Sequence, residues 1–343
     1  MPTRSLILAA AAVTGLLQAA PAWVRQTAPT TERLRAVSAV SASVAWAGGN
    51  KGTVLRTIDG GRSWSPVPPP DAGALDFRDV EAFSADTAYA LSIGPGDKSR
   101  IYRTDDGGES WTLQFANPDP NAFYDAMAFW DAQHGLAAGD PVAGRFTIRR
   151  TDDGGRTWTL VPPDGMPAAL EGDGAFAASG TCLVTARTSQ AWLWSGGGPR
   201  ARFYRTTDRG TTWQASDTPV AAGASSAGIF SIAFADARHG VIVGGDYRKE
   251  REPGDNLARS DDGGATWSVI GATRLRAFRS AVVFLPETSG RSLVAAGPAG
   301  ADRSDDGGAT WTALGDEGYH ALSVARDGTV WAVGEGGRIA RIR

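Results

Sequence analysis

The sequence predicts an all-β fold: a seven-bladed β-propeller of four-stranded antiparallel blades, the last blade closed by the N-terminal strand. Three observations carry this reading. A short turn motif returns at nearly constant spacing, the same order of apolar segments surrounds each copy, and helical periodicity is absent beyond the N-terminal segment.

The motif occurs six times, as TIDGGRSW (57–64), TDDGGESW (104–111), TDDGGRTW (151–158), TTDRGTTW (206–213) and SDDGGATW (260–267 and 304–311). Its tryptophans lie 47, 47, 55, 54 and 44 residues apart, the length that four short strands and their turns require. Ser or Thr at the first position, Asp at the third, Gly at the fifth, Ser or Thr at the seventh and Trp at the eighth never vary, so the doublets DD and GG are expected to be incidental. An Asp side chain accepts backbone N–H groups two residues on, and glycine supplies the positive φ of a tight turn. The tryptophan is expected to start the next strand and cover the hairpin.

Each unit then reads as four strands, A to D. In the second unit these are DVEAFS (79–84), TAYALS (87–92), RIYRT (100–104) and WTLQF (111–115), with the motif as the C–D hairpin. After the sixth motif, YHALSVA (319–325), TVWAVG (329–334) and RIARIR (338–343) supply strands A to C of one more blade, and the chain ends without a D strand. WVRQTAP (23–29) resembles the start of a D strand and is expected to fill that place, leaving no free edge. A six-bladed ring with a dangling C-terminal segment is the alternative.

The chain has 343 residues, 42% hydrophobic and 21% charged, with a formal net charge of −3. Acids and bases are interspersed, which argues against a nucleic-acid surface or a polybasic membrane patch. Arg4, the apolar run from Ser5 to Leu17 and the Ala20-Pro21-Ala22 end read as a secretory signal peptide over residues 1–22, with one propeller domain over 23–343. Cys182 is the sole cysteine and does not stand where a lipid would be attached, so a periplasmic or secreted protein with no internal disulfide and no membrane anchor in the mature chain is expected.

The pattern S/T-x-D-x-G-x-S/T-W resembles the Asp-box, or BNR, repeat. That resemblance implies that Asp59, Asp106, Asp153, Asp208, Asp262 and Asp306 shape turns, away from any active site. A calcium loop would need further oxygen ligands at alternating positions. Repeats of this length behind an export signal are similar to the photosystem II stability/assembly factor family and its bacterial relatives. The resemblance implies a non-catalytic platform that binds a protein partner, an envelope or membrane-protein complex among the expected ones. Sialidases share the box, so a sialidase-like glycoside hydrolase or carbohydrate-binding propeller is the alternative. Sialidases hold a carboxylate with three arginines and use a Tyr–Glu nucleophile pair. Arg35 in LRAVSAV (34–40), Arg279 and Tyr319 could fill parts of that set, which stays incomplete.

No HExxH, phosphate loop or Ser-His-Asp spacing is present, so no metal, cofactor or catalytic residue is assigned. His134 and His239 occupy equivalent DAQHG and DARHG turns and read as turn caps, and Cys182 reads as a buried strand residue.

Function is expected on the face opposite the motifs, where D–A and B–C connections meet at the central channel. Two long B–C loops are expected there, 187–202 with Trp192, Trp194, Arg200 and Arg202, and 245–256 with Tyr247, Arg248 and Arg251. Alternatively, their tryptophans fold back onto the ring. Aligned on AF, the strand-A starts place Arg35, Arg78, Tyr124, Arg279 and Tyr319 at one level, with Asp79, Asp125 and His320 one residue on. Such a set either holds an anionic ligand or an acidic partner segment, or forms a satisfied polar plug.

Overall fold

The computed structural model describes residues 22–269, 275 and 277–342; the expected signal peptide lies outside these apart from Ala22. Seven four-stranded antiparallel sheets follow one another along the chain. The second blade is typical, with strands Asp76–Ala82, Ala88–Ile93, Arg100–Thr104 and Thr112–Ala116 running from the channel outward. The seventh takes Ala321–Val324, Val330–Val333 and Ile339–Ile342 from the C-terminal end and Val24–Gln26 from the N-terminal end, with Val24 paired to Arg341. The six-bladed alternative is thereby excluded.

The six turns are built alike. In the third blade Thr151 Oγ1 donates to Asp153 Oδ1 at 2.9 Å and accepts from Gly155 N at 2.7 Å. The same carboxylate accepts from Thr157 N at 2.9 Å and Thr157 Oγ1 at 2.7 Å. Asp153 therefore caps the N–H four residues on, not two, and this explains why positions one, three and seven are fixed. The fourth position is not incidental either. It is left-handed in every copy, at φ 70° for Gly154 and φ 56° for Arg209, so the fourth blade accepts strain that glycine avoids elsewhere. The following strand begins one residue after the tryptophan, and Trp64, Trp158 and Trp213 are buried.

Each turn also docks on the A–B turn of its own blade, as Gly107 N does on Asp86 O at 2.8 Å and Gly154 N on Gln133 O at 2.8 Å. The motifs thus mark one face, and D–A and B–C connections occupy the other.

Blades adhere through apolar faces and side-chain latches. Trp46, Trp194 and Trp331 are fully buried, each removing on the order of 200 Å2 from water, roughly 5 kcal/mol of transfer free energy. Strand-A N–H groups, which have no strand inside them, are met from the preceding blade. Ser38 Oγ accepts from Ala82 N at 3.0 Å, Asp79 Oδ2 from Met127 N at 2.7 Å and Ser231 Oγ from Val282 N at 3.1 Å.

Candidate ligand site at the channel mouth

Strand A carries a one-residue bulge where it reaches the mouth, at Arg35 in the first blade, Arg78 in the second, Asp125 in the third and Phe230 in the fifth. A bulge re-aims the side chain it frees. These four residues line one cavity of about 330 Å3 in the channel mouth.

The fourth blade replaces the single bulge by an excursion. Gly174 bridges to Gly196, and regular strand A resumes only at Leu183–Ala186. Between them the chain crosses the channel as a strap. Ala177 O accepts from Arg78 Nη1 at 2.9 Å on the second blade, Ser179 Oγ donates to Ser280 O at 2.9 Å on the sixth, and Thr181 Oγ1 meets Ser231 Oγ at 3.0 Å on the fifth. Gly180, at φ 72°, packs so closely that a Cβ would stand 2.5 Å from Asp79 Oδ1. The strap plugs the channel and forms part of the cavity wall.

The remaining wall is largely aromatic. Phe176 of the strap stacks on Phe230 with centroids 4.2 Å apart, and Phe278 meets Phe230 edge-on at 4.6 Å. Tyr247 of the fifth blade's B–C loop stands edge-on to both Phe176 and Phe230. Phe123, Ile93 and Pro298 complete the apolar lining.

The polar groups are unequally satisfied. Arg78 is neutralised by Asp76, with Nη2 2.7 Å from Oδ2. Arg35 forms no ion pair among the described residues and its buried Nε has no hydrogen-bond partner. Burial, with repulsion from Arg78 and Arg33, lowers its guanidinium to about 10. Asp125 is 1% exposed and its Oδ2 lacks a partner. Burial and the neighbouring Asp140 push its carboxyl well above the carboxylate range. Asp140 accepts from Ala175 N at 2.9 Å, and burial raises it to about 6. Asp79 is raised by burial and by Glu81, which burial itself raises to about 7.

Several expected site residues lie elsewhere. Trp192 and Trp194 belong to strand Gln190–Trp194, 6% and 0% exposed, because a strand packed between two blades is buried on both faces. The extra length of the fourth blade is in the 161–182 connection, not in the 187–202 segment, whose B–C loop is only 195–201. Arg200 and Arg202 are engaged by Asp217 at 2.7 and 3.3 Å. The loop after strand Gly240–Asp246 is present as expected, with Tyr247, Arg248 and Arg251 exposed and the Arg248 guanidinium 6.0 Å from the Tyr247 ring.

The strand-A alignment is one residue out. Leu34 N, Arg279 N and Tyr319 N donate to equivalent carbonyls of the preceding blade, Gly334, Gly244 and Gly297. Arg279 and Tyr319 therefore match Leu34, and Ser280 and His320 match Arg35. A one-residue shift turns a side chain to the other face. Arg279 accordingly enters its blade and pairs with Asp302 at 1% and 3% exposure, where losing either partner costs about 3–5 kcal/mol. Tyr124 OH accepts from Arg149 Nε at 2.8 Å, and buried Tyr319 donates to Glu317 Oε2 at 2.7 Å beside Trp23. Arg35, Arg279 and Tyr319 do not converge. His320 bonds Glu335 Oε1 through Nε2 at 3.0 Å and is lowered to about 4 by burial, with Arg35 adding repulsion.

His134 and His239 bond Asp131 and Asp236 of their own turns, and Cys182 is buried immediately before its strand. The sequence reading missed Phe123, Phe176, Phe230, Phe278 and Asp140. Its available signal was the Ala-Phe pair that precedes three of the strand-A segments, at 122–123, 175–176 and 277–278.

No family model matches the chain, and no curated protein does. Solved structures do. YCF48 bound to a D1 peptide superposes with a TM-score of 0.66 at 18% identity, over 93% of this chain and 96% of its own. YCF48 from Cyanidioschyzon merolae gives 0.63 at 20% identity, over 94% and 99%. A GH74 enzyme from Niastella koreensis gives 0.49 at 14% identity, over 87% and 62%. At these identities the first two likenesses show a shared fold.

Proposed function

We propose that the chain is an exported, non-enzymatic propeller that binds a protein partner at its channel mouth and serves as an assembly platform. The observation that carries this reading is the mouth cavity, where Arg35 stands unpaired among four phenylalanines beside the exposed loop with Tyr247, Arg248 and Arg251. Aromatic and arginine side chains around a concave centre are what binding hot spots use. The Asp-box repeats and the fold likeness to YCF48, one structure of which holds a D1 peptide, support a role of the photosystem II assembly-factor kind. The signal-peptide reading of residues 1–22 supports a periplasmic or secreted location.

The test is a pull-down from the native envelope fraction with wild type and a variant carrying Tyr247→Ser, Arg248→Ser and Arg251→Ser. These exposed positions leave folding intact, checked by an unchanged Tm. A partner retained by wild type and lost by the variant is expected; if the variant keeps every partner, the mouth is not the binding face. Turnover of a fluorogenic sialoside panel by the purified protein would replace this reading with the hydrolase one.

A further inference from the structure

The chemistry of the cavity narrows what the partner must present. Its aromatic wall is built from four different blades: Phe123, Phe176 of the strap, Phe230 at its strand-A bulge and Phe278. A dry cavity of about 150 Å3 already admits benzene; at about 330 Å3 this one has room for a ring and a short polar extension. Wall aromatics offer edges and faces to such a ring.

The polar end selects charge. Arg78 has Asp76, Asp140 accepts from Ala175 N, and burial holds the enclosed Asp125 toward its neutral form. Glu250 is exposed at the rim, where water solvates it. Arg35 alone among the lining cations has no carboxylate within pairing distance among the described residues. Glu335 and Asp76 offset part of the repulsion on Arg35 without pairing with it; a largely buried guanidinium with no direct ion pair is costly, and a carboxylate that reaches it is recognised by charge-assisted hydrogen bonds. The cavity opens on the mouth beside exposed Tyr247, so a chain carrying the anchor can continue across the loop 247–256.

We propose that the cavity is the anchor site for an aromatic side chain with a neighbouring carboxylate in an extended segment of the partner. The ring packs against Phe230 and Phe278, and the carboxylate pairs with Arg35. This rests on the partner-binding reading and adds the chemistry of the ligand.

The experiment is calorimetric titration of the full chain with four probes: 3-phenylpropionate, 3-phenylpropanamide, 3-phenylpropylamine and a blocked phenylalanyl-aspartyl dipeptide amide. The acid should bind at least tenfold more tightly than its amide, and the dipeptide at least as tightly as the acid. Arg35→Gln should abolish that preference while the ligand-free Tm stays level or rises, and Arg35→Lys should keep part of it. Phe230→Ala should weaken both acidic probes. Equal or tighter binding of the amine, or unchanged binding by Arg35→Gln, overturns the charge assignment. Binding of the free acid without the dipeptide overturns the peptide source. Because these probes act on purified protein and the pull-down uses rim variants, either proposal can fail alone.

Discussion

Arg279 and Arg35 show how much hangs on one residue of register. Both stand at the start of an apolar strand A, and their local sequences, AFRSAVVF and RLRAVSAV, look alike. Arg35 is the bulged residue and reaches the cavity, whereas Arg279 stands one place earlier and is enclosed with Asp302. Residue type was legible in the sequence; the face was not, because a bulge has no fixed sequence signature in these strands. Burial then sets the charges. Asp140 has a folded pKa of about 6 against an ordinary 3.8, so the fold favours its protonated form. The stability it contributes is fully present below about pH 3.8 and is lost as pH rises through 6. Asp140→Asn keeps an oxygen acceptor for Ala175 N and removes the titration. Urea unfolding of the two proteins should show the variant gaining on wild type by on the order of 2 kcal/mol between pH 3.5 and 7. His320 titrates with the opposite sign but is common to both proteins. Parallel stability curves would rule out Asp140 as the titrating group.

At the scale of elements, the strap 175–182 is where the fourth blade departs from the others. Four blades reach the mouth with a strand A that carries a single bulge, while this one leaves the sheet at Gly174 and returns at Leu183. Its anchors are polar contacts to three other blades and a glycine in the left-handed region with no space for a Cβ. Gly180→Ala should therefore lift the strap at a cost of about 1–3 kcal/mol, without opening the ring. Cys182, 1% exposed at the end of the strap, is a built-in reporter. Maleimide labelling of native Gly180→Ala protein should be markedly faster than that of wild type. Equal labelling rates would show that the strap holds without Gly180. The long Trp158 to Trp213 interval signalled an insertion in the sequence, but composition pointed to the Trp-rich segment and not to the Gly- and Ala-rich one. Tryptophan in a loop and tryptophan in an interblade strand read the same until the neighbouring blade is in place.

The whole molecule is a ring closed by three residues from the other end of the chain. Val24–Gln26 pairs with Ile339–Arg341, Arg25 meets Glu317 at 3.1 Å, and Trp23 lies 4.8 Å from Tyr319. Removing residues 1–30 leaves the strand Ile339–Ile342 as an open edge. Such an edge pairs with other chains. The shortened protein should melt several degrees lower and self-associate in analytical ultracentrifugation, and a monomer with unchanged Tm would show that closure is not what holds the ring.

The sequence by itself determined the repeat, the four-strand unit, the seven blades and the N-terminal closure. These rest on local rules: a turn that needs Asp, Gly and Trp at fixed offsets, and strands that alternate between blades. Tertiary structure alone decided which side chains meet in the channel. The cavity gathers Arg35, Arg78, Asp125, Phe176, Phe230 and Phe278 from six different blades through bulges and one strap. Convergence of that kind depends on ring geometry and on which face a bulge turns inward, and no spacing along the chain records either.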